Sequence, residues 1–389
     1  MKKEDVSGII VYVLILAIAV VFGLTVLREH ASNPNTGMDT VVYIIYIFGA
    51  ILSGVLINAI LFEVAHILGA KAGRYSIISV NILGLLWYRD DNKTKFRFKG
   101  YDGLTGETVI LPKEDAKKEP NPTPYLLFGT LFYAVEITAV IIFFTLYKDD
   151  PIGTNFVYFF LVVAVIGGMI LLYNILPLKL DAMTDGYRMR MTTNAANKKA
   201  FNELLRVEYA ISQGKEVEVA TFTEMTNFTA ELNLNKVYML LDKKQFKEAE
   251  ELIDIIINGK ETVSNKVYVR ARCQKIYINI INNSLEDARE FYDKEVSMAE
   301  RRDISNDRSM VSARTYLLMS GLLDGSKSEC LIAINTAGKC FEGTPKQRKK
   351  TEADLFNAAI DKVDELHPTW KLGEYHIEYV EKPEKKKKK

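Results

Sequence analysis

Cysteine is nearly missing from this chain. Cys273, Cys330 and Cys340 are the three it has in 389 residues, and all lie in its charged later half. No CxxC pair occurs among them, which argues against a disulfide framework and a thiolate metal site and suits a reducing compartment. Each reads as a small buried apolar residue. An excess of one charge sign is lacking too. Fifty Lys and Arg against 49 Asp and Glu leave a net charge of +1, so nothing points to nucleic acid and no such partner is expected. Mean hydropathy is +0.01, but that average hides two unlike halves.

Up to Leu178 the chain carries four long apolar runs: Val6 to Leu27, Thr40 to Phe62, Pro124 to Tyr147 and Pro151 to Leu178. Each meets the length of about 20 residues that a hydrocarbon core requires. Arg28-Glu29-His30 follows the first run without a small-x-small cleavage site, so this run reads as a retained span rather than a signal peptide. Basic residues in short loops set orientation. The loop from Arg28 to Asp39 holds one Arg, and Lys148-Asp149-Asp150 a single Lys, whereas Lys71 to Thr123 holds ten basic residues. Lys179, Arg188, Arg190, Lys198 and Lys199 follow the fourth run. Both termini and the middle loop are therefore expected in the cytosol, with His30 on the outer side.

Glu63 and His66 stand at the cytosolic end of the second run, and three residues apart they share a helix face. Ionisable groups at the edge of an apolar span either snorkel to the interface or face a protein interior or water-filled cavity. Beyond them the stretch Ser76 to Leu86 alternates like a strand, and Lys93 to Phe98 is a second candidate strand. After the fourth run, Asn174-Ile175-Leu176-Pro177 is followed by Asp185-Gly186. The topology brings Asp185 to the same membrane face as Glu63 and His66.

This pair of motifs resembles the site-2 protease family of intramembrane zinc metalloproteases. Its members carry HExxH near the end of one span, then a membrane-associated β segment, then Asn-x-x-Pro leading to Asp-Gly. The resemblance covers roughly residues 40 to 195, about two-fifths of the chain. It implies that Glu63 is the general base and His66 a zinc ligand. Asp185 becomes the carboxylate ligand, with Asn174, Pro177 and Gly186 shaping the segment that presents it. Two departures stand out. Phe62 replaces the first histidine, and a benzyl ring donates no lone pair. The interval from Pro177 to Asp185 is longer than the family's compact form, which makes Asp181 an alternative carboxylate. Catalytic zinc usually keeps three protein ligands and an open position for water. Asp181, Asp102, Glu136 or a partner's group are the candidates for the missing donor. Glu136 is the charged residue midway along the third run, either a polar lining of the site or a carboxyl that locks the bundle.

From about Ala195 the pattern changes to amphipathic helices with short breaks. Asn233 to Leu241 and Phe246 to Ile257 read as one helical hairpin, and Asn265 to Ile281 with a helix from Leu285 as a second. Ser309 to Leu323 and a helix ending at Cys340 make a third. Ala249, Ala288 and Cys330 open the second helices at spacings of 39 and 42. This looks like a divergent tetratricopeptide-type array, whose standard period is about 34. Such arrays offer concave surfaces to peptides or partner proteins; the alternative is a plain helical domain that caps the membrane half. Lys385 to Lys389 form a basic tail, solvated or touching anionic lipid. Pro120-Asn121-Pro122-Thr123-Pro124 is a stiff hinge into the third run.

The expected fold is mainly α: a polytopic α-helical membrane protein with about four spans and a small membrane-associated β segment, followed by a cytosolic α-hairpin repeat domain. The expected boundaries are 1–194 for the membrane domain (its cytosolic loop 71–123), 195–375 for the helical repeats and 376–389 for the tail. The expected function is a pseudoprotease in a bacterial cell membrane, in contact with membrane lipid. It binds a transmembrane segment or peptide client and recruits a protein partner through the cytosolic helices; zinc is a possible cofactor. The alternatives are an active intramembrane zinc metalloprotease with an unusual third ligand, and a transporter-accessory or immunity-type membrane protein.

Overall fold

The structure is a computed structural model describing residues 3–33, 36–90, 93–98, 106–113, 118–148, 153–178, 183–213, 215 and 217–379. Asp102, Asp181 and the lysine tail lie outside the described residues. The chain divides into two compact units, Met1–Leu205 and Arg206–Lys389.

The first unit opens with α1 (Lys3–Phe22), a π-helical turn (Gly23–Leu27) and α2 (Arg28–Ser32). Next comes α3 (Thr40–Ala72), started by Asp39, whose carboxylate accepts the N–H groups of Val41 and Val42 at 2.9 Å. Sequence reasoning ends this span at Phe62, but the helix runs ten residues further. The reason is local: residues 63–72 contain no proline, and the ladder closes only where Arg74 takes φ 69°. Glu63 and His66 therefore sit inside a helix, not at its end. α4 (Pro122–Tyr147) starts with Asn121 as cap and Pro122 in the first turn, where a missing N–H costs nothing. α5 (Thr154–Ile175) ends because Leu176 precedes Pro177 and takes the extended conformation, ψ 135°. Four helical stretches, Gly8–Ser32, Thr40–Ala72, Pro122–Tyr147 and Thr154–Ile175, are long and apolar enough to cross a membrane.

These helices carry apolar residues around their whole circumference. Leu16, Ile44, Val135 and Phe156 are all more than 60% exposed. Small residues bring the helices close, beside larger buried side chains such as Tyr133, Val157 and Val163. Ala50 and Ala59 of α3 are buried, and a Cβ on Gly54 would come within 2.7 Å of Ile166 Cδ1 on α5.

Between α3 and α4 lies one antiparallel sheet: β1 (Tyr75–Ile82), β2 (Leu85–Asp90), β3 (Lys93–Phe98) and β4 (Gly106–Pro112), in the order β3-β2-β1-β4. The β1–β2 turn needs two left-handed residues, Leu83 (φ 49°) and Gly84 (φ 87°), and Asn81 Oδ1 accepts the Gly84 N–H at 3.0 Å. α6 (Asp185–Thr192) and α7 (Ala195–Ser212) follow α5. Asn202 of α7 ties the sheet to the start of α4: it accepts from the Tyr75 hydroxyl at 2.6 Å and donates to Pro120 O at 3.1 Å.

The second unit is helical: α8 (Asn227–Asp242), α9 (Phe246–Asn258), α10 (Asn265–Asn282), α11 (Leu285–Glu295), α12 (Met298–Asn306), α13 (Met310–Leu318, extended by a π turn Met319–Leu323), α14 (Lys327–Gly343) and α15 (Lys346–Leu366). The three expected helix pairs are α8–α9, α10–α11 and α13–α14; α12 and α15 lie outside them. Ala249, Ala288 and Cys330 are each fully buried, the environment their small size suits. Burial pushes the thiols of Cys273 and Cys330 up to about 12, so they behave as apolar core groups.

The row α8, α10, α13, α15 closes on itself. Arg348 and Thr351 of α15 reach Asn235 and Asp242 at the far end of the row on α8. Its middle is polar: Arg314 is fully buried, paired with Glu352 and donating to Gln274 Oε1 at 2.6 Å. The Arg314 guanidinium lies 4.8 Å from the Tyr277 ring centroid.

Candidate functional site

Two devices deliver the polar residues of the site. α3 places Glu63 and His66 one turn apart, and both are buried. Asp185 comes from the other end of the unit, its segment anchored by one threonine. The Thr184 hydroxyl donates to Leu176 O at 2.6 Å and accepts the N–H of Leu178 at 3.2 Å and of Tyr187 at 3.3 Å. It thus ties the backbone after α5 to the start of α6 and caps α6, with Asp185 as that helix's first residue. Gly186 permits the fit, since a Cβ there would strike the carbonyl oxygen of Ile175. Asn174 donates to Ile170 O at 3.1 Å, and its own carbonyl borders Gly186, so the Asn-x-x-Pro segment shapes the backbone against which α6 lies.

The result is a contact across 119 residues: His66 Nε2 stands 3.1 Å from Asp185 Oδ2. His66 Nδ1 is 3.9 Å from Glu63 Oε2, and Arg188 Nη1 is 4.0 Å from the other Asp185 oxygen. Imidazole thus sits between two carboxylates.

Residues not singled out from the sequence complete the enclosure. Thr108 of β4 donates its hydroxyl to Glu63 Oε2 at 2.5 Å, and the Tyr125 hydroxyl on α4 holds Thr108 O at 2.9 Å. Gly106 of the same strand lets the sheet close, since a Cβ there would lie 2.9 Å from Glu63 Cγ. Glu63 Oε1 is buried with no hydrogen-bond partner among the described residues. The strand character of β4 left a faint signal in Thr108-Val109-Ile110-Leu111, but no local pattern says which helix it will cover.

Phe62 occupies its own niche. Its ring meets His66 edge-on at 4.2 Å between centroids and stacks on Tyr133 at 5.8 Å. The niche exists because residue 129 is glycine: a Cβ there would lie 2.7 Å from Phe62 Cε2. Phe62 is thus fitted into the wall of the site rather than accommodated by default.

Glu136 is not brought to this cluster. Its Oε2 and Asn58 Oδ1 border Gly167, at 2.9 and 2.6 Å from where a Cβ would stand. The Asn58 amide donates to Gly54 O and Val163 O, while the Tyr133 hydroxyl donates to Asn58 O at 3.0 Å. Glu136 thus stands apart from His66 and Asp185, and its buried Oε2 has no hydrogen-bond partner among the described residues.

A catalytic zinc takes three protein donors and keeps one open position. Here His66 and Asp185 face one another, Glu63 accepts a hydroxyl, and Phe62 beside them offers no lone pair. Among the described residues no group of three or more His, Cys, Asp or Glu is arranged to hold a metal. The described residues therefore do not fit a zinc centre by themselves. Against protein-family models, curated proteins and solved structures, the chain finds no match.

Proposed function

We propose that the chain is a multi-pass membrane protein of site-2-protease type that has given up hydrolysis. It works as a pseudoprotease, holding a transmembrane segment or peptide client. The observation that carries this reading is the assembly of Glu63, His66 and Asp185 from distant segments around a Phe62 that fills a glycine-lined niche. The Phe62 ring is packed against His66, Tyr133 and Gly129.

The membrane placement rests on the four apolar helices and on the basic residues of loop 71–123, which orient both termini to the cytosol. α3 is about 50 Å long at 1.5 Å per residue, against a hydrocarbon core of about 30 Å. Counted from Val41, the core ends about a turn before Glu63, so the cluster lies at the cytosolic edge under β4. The helical unit serves in this reading as the partner-binding part, a loose relative of tetratricopeptide arrays. Met298 at 76% and Ile332 at 55% exposure are apolar side chains that this unit offers a partner.

The test is cleavage of membrane-embedded reporter segments by the reconstituted protein and by Glu63→Gln. The reading expects no Glu63-dependent product. Glu63-dependent cleavage would instead establish the alternative, an active zinc protease whose third donor comes from outside the described residues, with Asp181 and Asp102 the first to examine.

A further inference from the structure

Inside the helical bundle two buried oxygens border the same point, and neither has a partner. Asn58 of α3 lies one turn before Phe62 and is fully buried. Its amide nitrogen is committed, donating to Gly54 O at 2.8 Å and to Val163 O at 2.9 Å. Exchanging Nδ2 and Oδ1 would set the oxygen against both carbonyls, so the direction of Oδ1 is fixed. Asn58 Oδ1 and Glu136 Oε2 of α4 are buried without a hydrogen-bond partner among the described residues. They stand 2.6 and 2.9 Å from the point that a Cβ on Gly167 of α5 would occupy, and Tyr133 Cδ1 borders it at 3.2 Å. The cradle exists because residue 167 is glycine, and α3, α4 and α5 each supply one side of it.

Two acceptors that share an apolar surrounding cost free energy unless a donor or a cation stands between them. The Tyr133 hydroxyl does not serve, since it donates to Asn58 O at 3.0 Å. No cationic side chain among the described residues acts on Glu136. Carbonyl and carboxylate oxygens are hard donors of the kind that replace an ion's hydration shell. The single carboxylate sets the charge: a monovalent cation neutralises it, whereas a divalent ion leaves an uncompensated charge within the apolar run. The cradle, which one methyl group would fill, sets the size.

We infer that Asn58 Oδ1 and Glu136 Oε2, over Gly167, hold a small monovalent cation of the sodium type. The site is separate from Glu63, His66 and Asp185, and the choice of a monovalent ion rests on the membrane reading above. Tyr133 joins the two regions, with its hydroxyl on Asn58 and its ring stacked on Phe62 at 5.8 Å. The ion thus links three helices one turn from the Phe62 niche.

The purified full chain is equilibrated with radioactive sodium in choline chloride. In parallel its thermal unfolding is followed with choline replaced by sodium, lithium or potassium at constant ionic strength. The expected result is saturable binding of one sodium per chain, with an unfolding midpoint raised by sodium and lithium but not by potassium. Glu136→Gln supplies an amide N–H that can donate to Asn58 Oδ1. This variant should bind no sodium, yet unfold in choline near the midpoint that the native chain reaches in sodium. Gly167→Ala should lose sodium binding by filling the cradle. No saturable binding by the native chain, or one midpoint in all four salts, would overturn the inference and leave a proton on Glu136 as the bridge. Binding that persists in Glu136→Gln would overturn it too, by placing the ion elsewhere. Alkaline extraction of native membranes keeps the two questions apart. Failure of sodium binding in a retained chain overturns the ion site alone, and release of the chain overturns the membrane reading with it.

Discussion

His66 and Asp185 stand 119 residues apart in sequence and 3.1 Å apart in space, each buried and each facing the other. Breaking a buried hydrogen bond from one side leaves the partner unsatisfied, at a cost of about 1–3 kcal/mol. His66→Ala and Asp185→Ala should each destabilise the first unit by that order. The double variant should lose much less than the sum of the two. Unfolding of the three variants in mixed micelles, read as a double-mutant cycle, checks this; strict additivity would mean that the pair does not interact.

Gly129 and Phe62 make the second coupled pair. Gly129→Ala drives a methyl group into the Phe62 ring, and overpacking of this kind costs about 1–3 kcal/mol. Phe62→Leu removes the obstructing ring edge, so adding it to Gly129→Ala should restore part of the loss. Thermal unfolding in detergent is the readout, and no recovery in the double variant would place the strain elsewhere.

In the second unit, Arg314 is a fully buried cation whose carboxylate partner is Glu352. Removing one member strands the other, a change worth about 3–5 kcal/mol. Arg314→Met should therefore be severe, and Arg314→Met with Glu352→Leu milder than Arg314→Met alone. Denaturant midpoints of the full chain decide the order.

Thiol chemistry offers a check on the same core. Cys273 and Cys330 are buried with pKa values pushed up to about 12, while Cys340 is half-exposed. The thiolate is the reactive form, so a raised pKa slows alkylation at every pH below it. Native iodoacetamide labelling at pH 8, followed by peptide mapping, should modify Cys340 well before the other two. Denaturant should make all three react.

Much of this arrangement was legible in the sequence. Long apolar runs identify the four helices because length and composition suffice. Glu63 and His66 stand out as costly ionisable residues at the edge of an apolar run, whereas Asp185 stands out only through the resemblance of its Asn-x-x-Pro and Asp-Gly pattern to a known family. Other parts had no local signature. The extension of α3 past Phe62 depends on the absence of a breaker before Arg74, and a hydropathy boundary does not report that. Thr108, Tyr125 and Gly129 acquire their roles only when β4 and α4 close over α3, a tertiary event. Glu136 was assigned by its charge to two possible roles, and only packing shows it beside Asn58 and Gly167. The contact of α15 with α8 is likewise invisible to a repeat period, which describes neighbours along the chain and not the closure of a row.

The most direct test of the central claim is the zinc content of the purified protein, measured by elemental mass spectrometry beside Phe62→His and His66→Ala. The account predicts no stoichiometric zinc in the native chain. It predicts gain of the metal on Phe62→His, which supplies the missing donor next to His66 and Asp185. Near one zinc per native chain, lost with His66→Ala, would contradict it and show that the site is a complete metal centre.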